Sequence, residues 1–107
     1  MLTDKNADMA PGLHELHAAD FKKFTGEEFL IHFATGAIPA QLKTVTDLTG
    51  YSNLERKPFS LLFQTLQTNY FPQAIYRVDH PGIGVLDIFL VPLGVREGGM
   101  QYEAIFS

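Results

Sequence analysis

Short runs of alternating apolar and polar residues, each closed off by glycine, proline or small polar residues, most limit what this chain can fold into. Phe29, Ile31 and Phe33 alternate with Glu28, Leu30 and His32. Phe59, Leu61 and Phe63 alternate with Ser60, Leu62 and Gln64, and near the end Tyr102, Ala104 and Phe106 alternate with Gln101, Glu103 and Ile105. A period of two is that of a strand, whose side chains point to opposite faces in turn. Further runs at 40–48, 74–79 and 85–91 bring the expectation to six strands. In the run at 40–48 the alternation slips, and a bulge near Val45 reconciles it. The connection from His80 through Gly84 is a tight turn, because Pro81, Gly82 and Gly84 supply the φ values it needs. Pro92 has no N–H to give to a ladder and is expected to end the fifth strand, with a glycine-rich turn following through Gly94, Gly98 and Gly99.

One segment follows another period. Leu13, Leu16, His17, Phe21 and Phe24 fall at spacings that share a helix face. The helix is best defined over 18–24, and Gly26 suits the left-handed position after its end. Residues 1–12 are small and polar and read as a flexible arm. The expected organisation is therefore that arm, then a single all-β domain over 13–107. About six antiparallel strands form a meander that closes as a small barrel or tight sandwich, and the short N-terminal helix caps one end or covers a face.

Composition narrows the function. With 107 residues and a hydrophobic fraction of 46%, one modest core is available. Cysteine is absent, which excludes disulfides, thiolate nucleophiles and Cys-ligated metals and fits a reducing cytoplasm. No basic stretch followed by an apolar run opens the chain, so no signal peptide is expected, and no run approaches the length of a membrane helix. The net charge is −4 and the basic residues are scattered. Nucleic-acid binding needs a concentrated cationic face, so that partner is not expected.

Catalytic constellations are weak. His14, Glu15 and His17 give HExH, one residue short of the spacing that places two zinc ligands on one helix face. Ser60, Asp79 and His80 contain the residue types of a hydrolytic triad, yet Asp79 and His80 are adjacent in a strand and point to opposite faces. Glu27, Glu28, Asp87 and Glu103 read as solvated strand residues, and Glu103 is placed to pair with Arg77 across neighbouring strands. The glycine-rich loop at 94–99 leads into a strand instead of a helix, so it is no phosphate cradle. No catalytic residue, cofactor or metal site is assigned.

What goes beyond the fold is that several strands are apolar on both faces. Leu62 faces away from Phe59, Leu61 and Phe63, and Phe89 and Val91 oppose Leu86, Ile88 and Leu90. An antiparallel sheet with one solvated side shows a polar face there, so something covers the second face. The helix, through Phe21 and Phe24, is one candidate; a partner subunit is the other, with Leu62, Phe89 and Val91 as the contact surface. A different reading gives the barrel a ligand-binding mouth lined by Tyr51, Tyr70, Phe71 and Tyr76.

Several segments carry a resemblance. They are Phe21 to Gly26, the PFSLLF run 58–63, the YRVDHP run 76–81, and FLVPLG followed by GMQYEAIF at 89–94 and 99–106. Together they resemble an uncharacterised bacterial domain family over roughly four fifths of the chain. The chain departs from that pattern in its longer N-terminal arm and in Phe24, where the family has an aliphatic residue. The resemblance implies no established catalysis. It implies relatives that neighbour phage-tail-collar-like proteins, and hence a role in tail-like assembly. The expected function is thus a non-catalytic structural or protein–protein interaction module, self-associating or bound to a protein partner, in the cytoplasm or in a phage-like particle. The alternatives are a small-ligand carrier and, more remotely, a hydrolase.

Overall fold

The computed structural model describes residues 15–48 and 57–107. The arm at 1–12, His14 and Tyr51 lie outside them. One short helix, α1 (Ala18–Lys22), precedes six strands: β1 (Glu28–Phe33), β2 (Gly36–Asp47), β3 (Phe59–Gln64), β4 (Ala74–His80), β5 (Gly84–Arg96) and β6 (Gly99–Phe106). All pairings are antiparallel, and the sheet closes into a barrel in the order β1-β2-β3-β6-β5-β4. The meander therefore runs within each half and not across the middle. β3 pairs with β6, and the segment after β3 carries the chain to β4, which returns beside β1.

Each strand turns its apolar set inward, as the period-two pattern requires. Phe29, Ile31, Leu42, Leu61, Phe63, Val78, Leu90 and Tyr102 are almost wholly buried. At one end Phe21 of α1 enters the barrel and packs on Phe59 and Phe106, with ring centroids 5.8 and 5.5 Å away, while those two rings stack at 4.7 Å. A five-residue helix has little stability of its own, and burial of Phe21 is what holds it. Asp20 accepts the His17 N–H at 2.8 Å at its start, and Gly26, with φ of 92°, turns the chain into β1. At the other end Phe33 stacks on Phe71 at 4.2 Å and meets Tyr76 and Tyr102 at 4.8 and 5.2 Å. Such pairs add roughly 0.5–1.5 kcal/mol each beyond their area.

Pro92, expected to end the fifth strand, sits inside it, and the second strand begins before the expected position 40 and takes in Pro39. β2 begins at Gly36 and includes Pro39, and β5 runs through Pro92 to Arg96. β3 joins β2 only from Gln41 onward, and β4 leaves β5 at Leu90. Each proline thus has a strand on one side only, the edge-like setting that tolerates a missing N–H. Irregularities between Leu42 and Thr44 and between Pro92 and Gly94 bend these two long strands around the barrel. The first supplies the expected bulge, two residues earlier than Val45. The β5–β6 turn is narrower than its glycines suggest: Glu97 and Gly98, with φ of 55° and 89°, form a two-residue connection between Arg96 and Gly99.

Beside that turn the backbones of Gly99 and Thr65 nearly touch. A Cβ on Gly99 would lie 1.8 Å from the Thr65 carbonyl oxygen. The Thr65 amide and hydroxyl both donate to the Met100 carbonyl, at 3.1 and 2.8 Å. The neighbouring Gln64 amide donates to the carbonyls of Thr65, Arg96 and Gly99 at 2.9, 2.7 and 3.2 Å and accepts from Gln101 Nε2 at 2.6 Å. These groups are buried on the outward side of β3 and β6, so their hydrogen bonds replace those to water.

Barrel closure rests on a short seam. β1 and β4 share three residue pairs, Leu30 with Asp79, Ile31 with Val78 and His32 with Arg77. On the outside His32 Nε2 meets Asp79 Oδ2 at 2.5 Å. On the inside the Gly82 N–H donates to His80 Nδ1 at 2.9 Å, so that nitrogen carries no proton and Nε2–H donates to Glu27 Oε1 at 2.7 Å. The His80 ring lies between Phe24 and Phe29, each at 4.5 Å.

Gly99→Ala is expected to cost about 3 kcal/mol or more in urea unfolding, against about 1 kcal/mol for Gly98→Ala, whose Cβ meets open space but whose φ is positive. Equal costs would show that the Thr65 contact yields. His80→Ala is expected to cost about 2–4 kcal/mol by the same measurement, from the lost ring contacts and the unpaired Gly82 N–H. A change below about 1 kcal/mol would show that closure does not depend on this ring.

Candidate functional site

The outward face of β3, β6, β5 and β4 is where the second apolar side of the strands comes together. Across the ladder, Leu62 of β3 stands opposite Glu103 of β6, and Glu103 opposite Val91 of β5. On the next strand Phe89 is paired with Ile75 of β4. β5 and β6 are paired up to Val91 and Glu103, and Phe89 and Ile105 each lie two residues beyond that pair on the same face. Ile75, Phe89 and Ile105 are 68%, 49% and 63% exposed, while Leu62 and Val91 are half-buried. Exposed Leu93 extends the apolar surface along β5 into the bulge.

Of the two candidate covers for this face, the helix is not the one. Phe21 is wholly buried at the barrel end and Phe24 packs on His80, so neither ring lies over Phe89. The register brings Leu62 and Val91 into one row around Glu103 and sets Phe89 beside it. It adds Ile75 and Ile105, which the sequence reading did not single out. Ile105 was visible as the outward member of its strand. Ile75 joins the patch only through its pairing with Phe89, which no local pattern reveals. Glu103 does not pair with Arg77: β5 lies between their strands, and the residue opposite Arg77 is Asp87.

Of the residues read as a ligand mouth, Tyr51 lies outside the described residues and two of the others pack on the barrel end. Phe71 and Tyr76 close one barrel end against Phe33, and the Tyr76 hydroxyl donates to the Pro72 carbonyl at 2.5 Å. Tyr70 is 65% exposed. The triad residue types are not brought together. Asp79 bonds His32 outside the barrel, His80 bonds Glu27 and Gly82, and Ser60 stands opposite Thr46 and Ile105. Among the described residues no group of three His, Cys, Asp or Glu side chains is placed to hold a metal ion, and no helix is long and apolar enough to cross a membrane.

Three tyrosines cluster near the closed end. Burial raises the Tyr102 phenol above its ordinary 10.0, aided by the neighbouring Tyr76 and Tyr70 and opposed by a backbone hydrogen bond at Phe71. Burial, with Tyr70, also raises Tyr76. A group whose folded pKa is raised favours the protonated native state, so its contribution is complete below about pH 10 and is lost as the pH rises through the folded values. Thermal unfolding across that range is expected to show melting temperature falling above about pH 10. Tyr102→Phe should flatten the fall, at a cost of about 1 kcal/mol at neutral pH from loss of the Phe71 backbone bond and of the long bond, 3.4 Å, that the hydroxyl donates to the Asn69 carbonyl. An unchanged alkaline slope would assign the effect elsewhere.

No curated protein and no solved structure matches this chain. Residues 16–106, from the buried Leu16 below the barrel to the inward Phe106 of the last strand, match a family described as a domain of unknown function. The six-stranded barrel described above is therefore the fold of a member of the DUF6916 family, to which this chain belongs.

Proposed function

We propose that this chain is a non-catalytic structural and protein–protein interaction module, which assembles through the outward face of β5 and its neighbours in a phage-tail-like or other multiprotein particle. The observation that carries this reading is the cross-strand pair of Ile75 and Phe89, two large apolar side chains left exposed on a barrel whose core is already complete. Contiguous apolar surface of that kind is what association buries. An aromatic ring at its centre is the type of side chain that dominates interface energetics. The tail-like role implied by the sequence resemblance would be a use of the same kind. Reading the barrel as a ligand carrier draws less support, because Phe71 and Tyr76 are engaged with Phe33.

Light scattering after size-exclusion chromatography, over a wide concentration range, tests this. The expected result is a discrete oligomer that Phe89→Asp reduces to a folded single chain with an unchanged circular dichroism spectrum. If the wild-type chain is monomeric throughout, capture of a partner from the native source by wild type but not by Phe89→Asp is the remaining supporting result. Assembly that survives the substitution with its affinity intact, or the absence of both assembly and Phe89-dependent capture, overturns the reading.

A further inference from the structure

A groove of about 490 Å³ runs over the outward side of β1, β2 and β3, in the half of the barrel away from the Ile75–Phe89 pair. Its residues are set by register. Glu28, Gln41, Gln64 and Gln101 stand in one row across four neighbouring strands. The chemistry of that row is uneven. Gln64 and Gln101 are buried and bonded to each other, and Gln64 is tied to three carbonyls, so this part of the row is a fixed floor. Gln41 also lines the groove; its amide nitrogen donates to the Gly26 carbonyl at 3.2 Å, and its amide oxygen accepts no hydrogen bond among the described residues.

The Glu28 carboxylate makes no ion pair or hydrogen bond among the described residues. It differs in this from Glu27, Asp47, Asp79 and Glu97, which are held by His80, Lys22, His32 and Lys43. Gln67 lines the same groove, and its side-chain amide likewise makes no hydrogen bond among the described residues. Pro39 and Leu66 supply apolar walls, and Leu66 is 82% exposed. The groove thus combines an unpartnered carboxylate, two amide side chains whose oxygens are unbonded among the described residues, and aliphatic surface.

We propose that this groove binds an alkylammonium group: a primary ammonium on an aliphatic stem. The head has three donors and no acceptor, which matches Glu28 and the amide oxygens of Gln41 and Gln67, and the stem lies along Pro39 and Leu66. An aromatic platform, on which a sugar ring would stack, is absent from the lining. A phosphate or carboxylate ligand would meet Glu28 with like charge. The chain's net charge of −4 favours approach of a cation. The same chemistry is offered by a free aliphatic diamine and by a lysine side chain of another protein, and the test separates them.

The full chain would be titrated with cadaverine, with a blocked lysine amide and with neutral pentanol, and followed by amide-resolved NMR. Shifts confined to the neighbourhood of Gly26, Glu28, Gln41, Leu66 and Gln67 are expected with one or both amines and none with pentanol. Glu28→Gln, a surface change, should weaken binding about tenfold. Leu66→Ser should weaken the longer-stemmed amine and spare methylammonium. A response to cadaverine alone identifies a free amine as the ligand, and a response to the lysine amide identifies a protein side chain. Shifts spread equally over Asp87 and Glu103, affinity unaltered by Glu28→Gln, or silence with both amines would overturn the site.

Discussion

Closure of the barrel depends on three residue pairs between β1 and β4. Every other seam is longer, and without this one the sheet would be open, with two unpaired edges. The chain reinforces the seam from both sides with the same chemistry. His32 of β1 meets Asp79 of β4 outside, and His80 of β4 donates to Glu27, just before β1, inside. Adjacent residues Asp79 and His80 can serve opposite faces because side chains alternate along a strand. His80 does more than pair. Its ring fills the space between Phe24 and Phe29, so the polar link and the packing of the helix end are one structure.

A second constraint fixes the other half. Thr65 must leave β3 directly over the β5–β6 turn, and only a residue without a side chain at position 99 allows its carbonyl so close. The Gln64 amide then gathers carbonyls that this crossing would otherwise leave without partners. That arrangement sends the chain across the barrel end to β4, in place of a direct β3–β4 hairpin. It accounts physically for the glycine that opens the GMQYEAIF segment.

With closure and crossing fixed, the outer surface divides by chemistry. The β4–β5–β6 side carries exposed Ile75, Phe89 and Ile105, and the β1–β3 side carries the amide row with Glu28. The proposed assembly surface and the proposed ammonium site occupy separate arcs, so each can be altered without touching the other.

Much of this was legible in the sequence, and the remainder has a definite physical reason for being hidden. Alternation of apolar residues located six strands, which side of each faces the core, and the short helix ended by Gly26, because those depend on local periodicity and backbone sterics. The apolar second faces, with Leu62, Phe89 and Val91 on them, were visible for the same reason. The end of β5 differs from the expectation at Pro92, since a proline is tolerated or not according to which neighbour lies beside it. Partner choice was equally hidden: Arg77 opposite Asp87 and Ile75 opposite Phe89 follow from strand order and register, not from spacing. Local pattern alone establishes an all-β fold, barrel or sandwich, with a surplus of outward apolar residues. Only the tertiary structure decided which of those residues stand together, because pairing between strands far apart in the chain is settled by closure of the whole sheet.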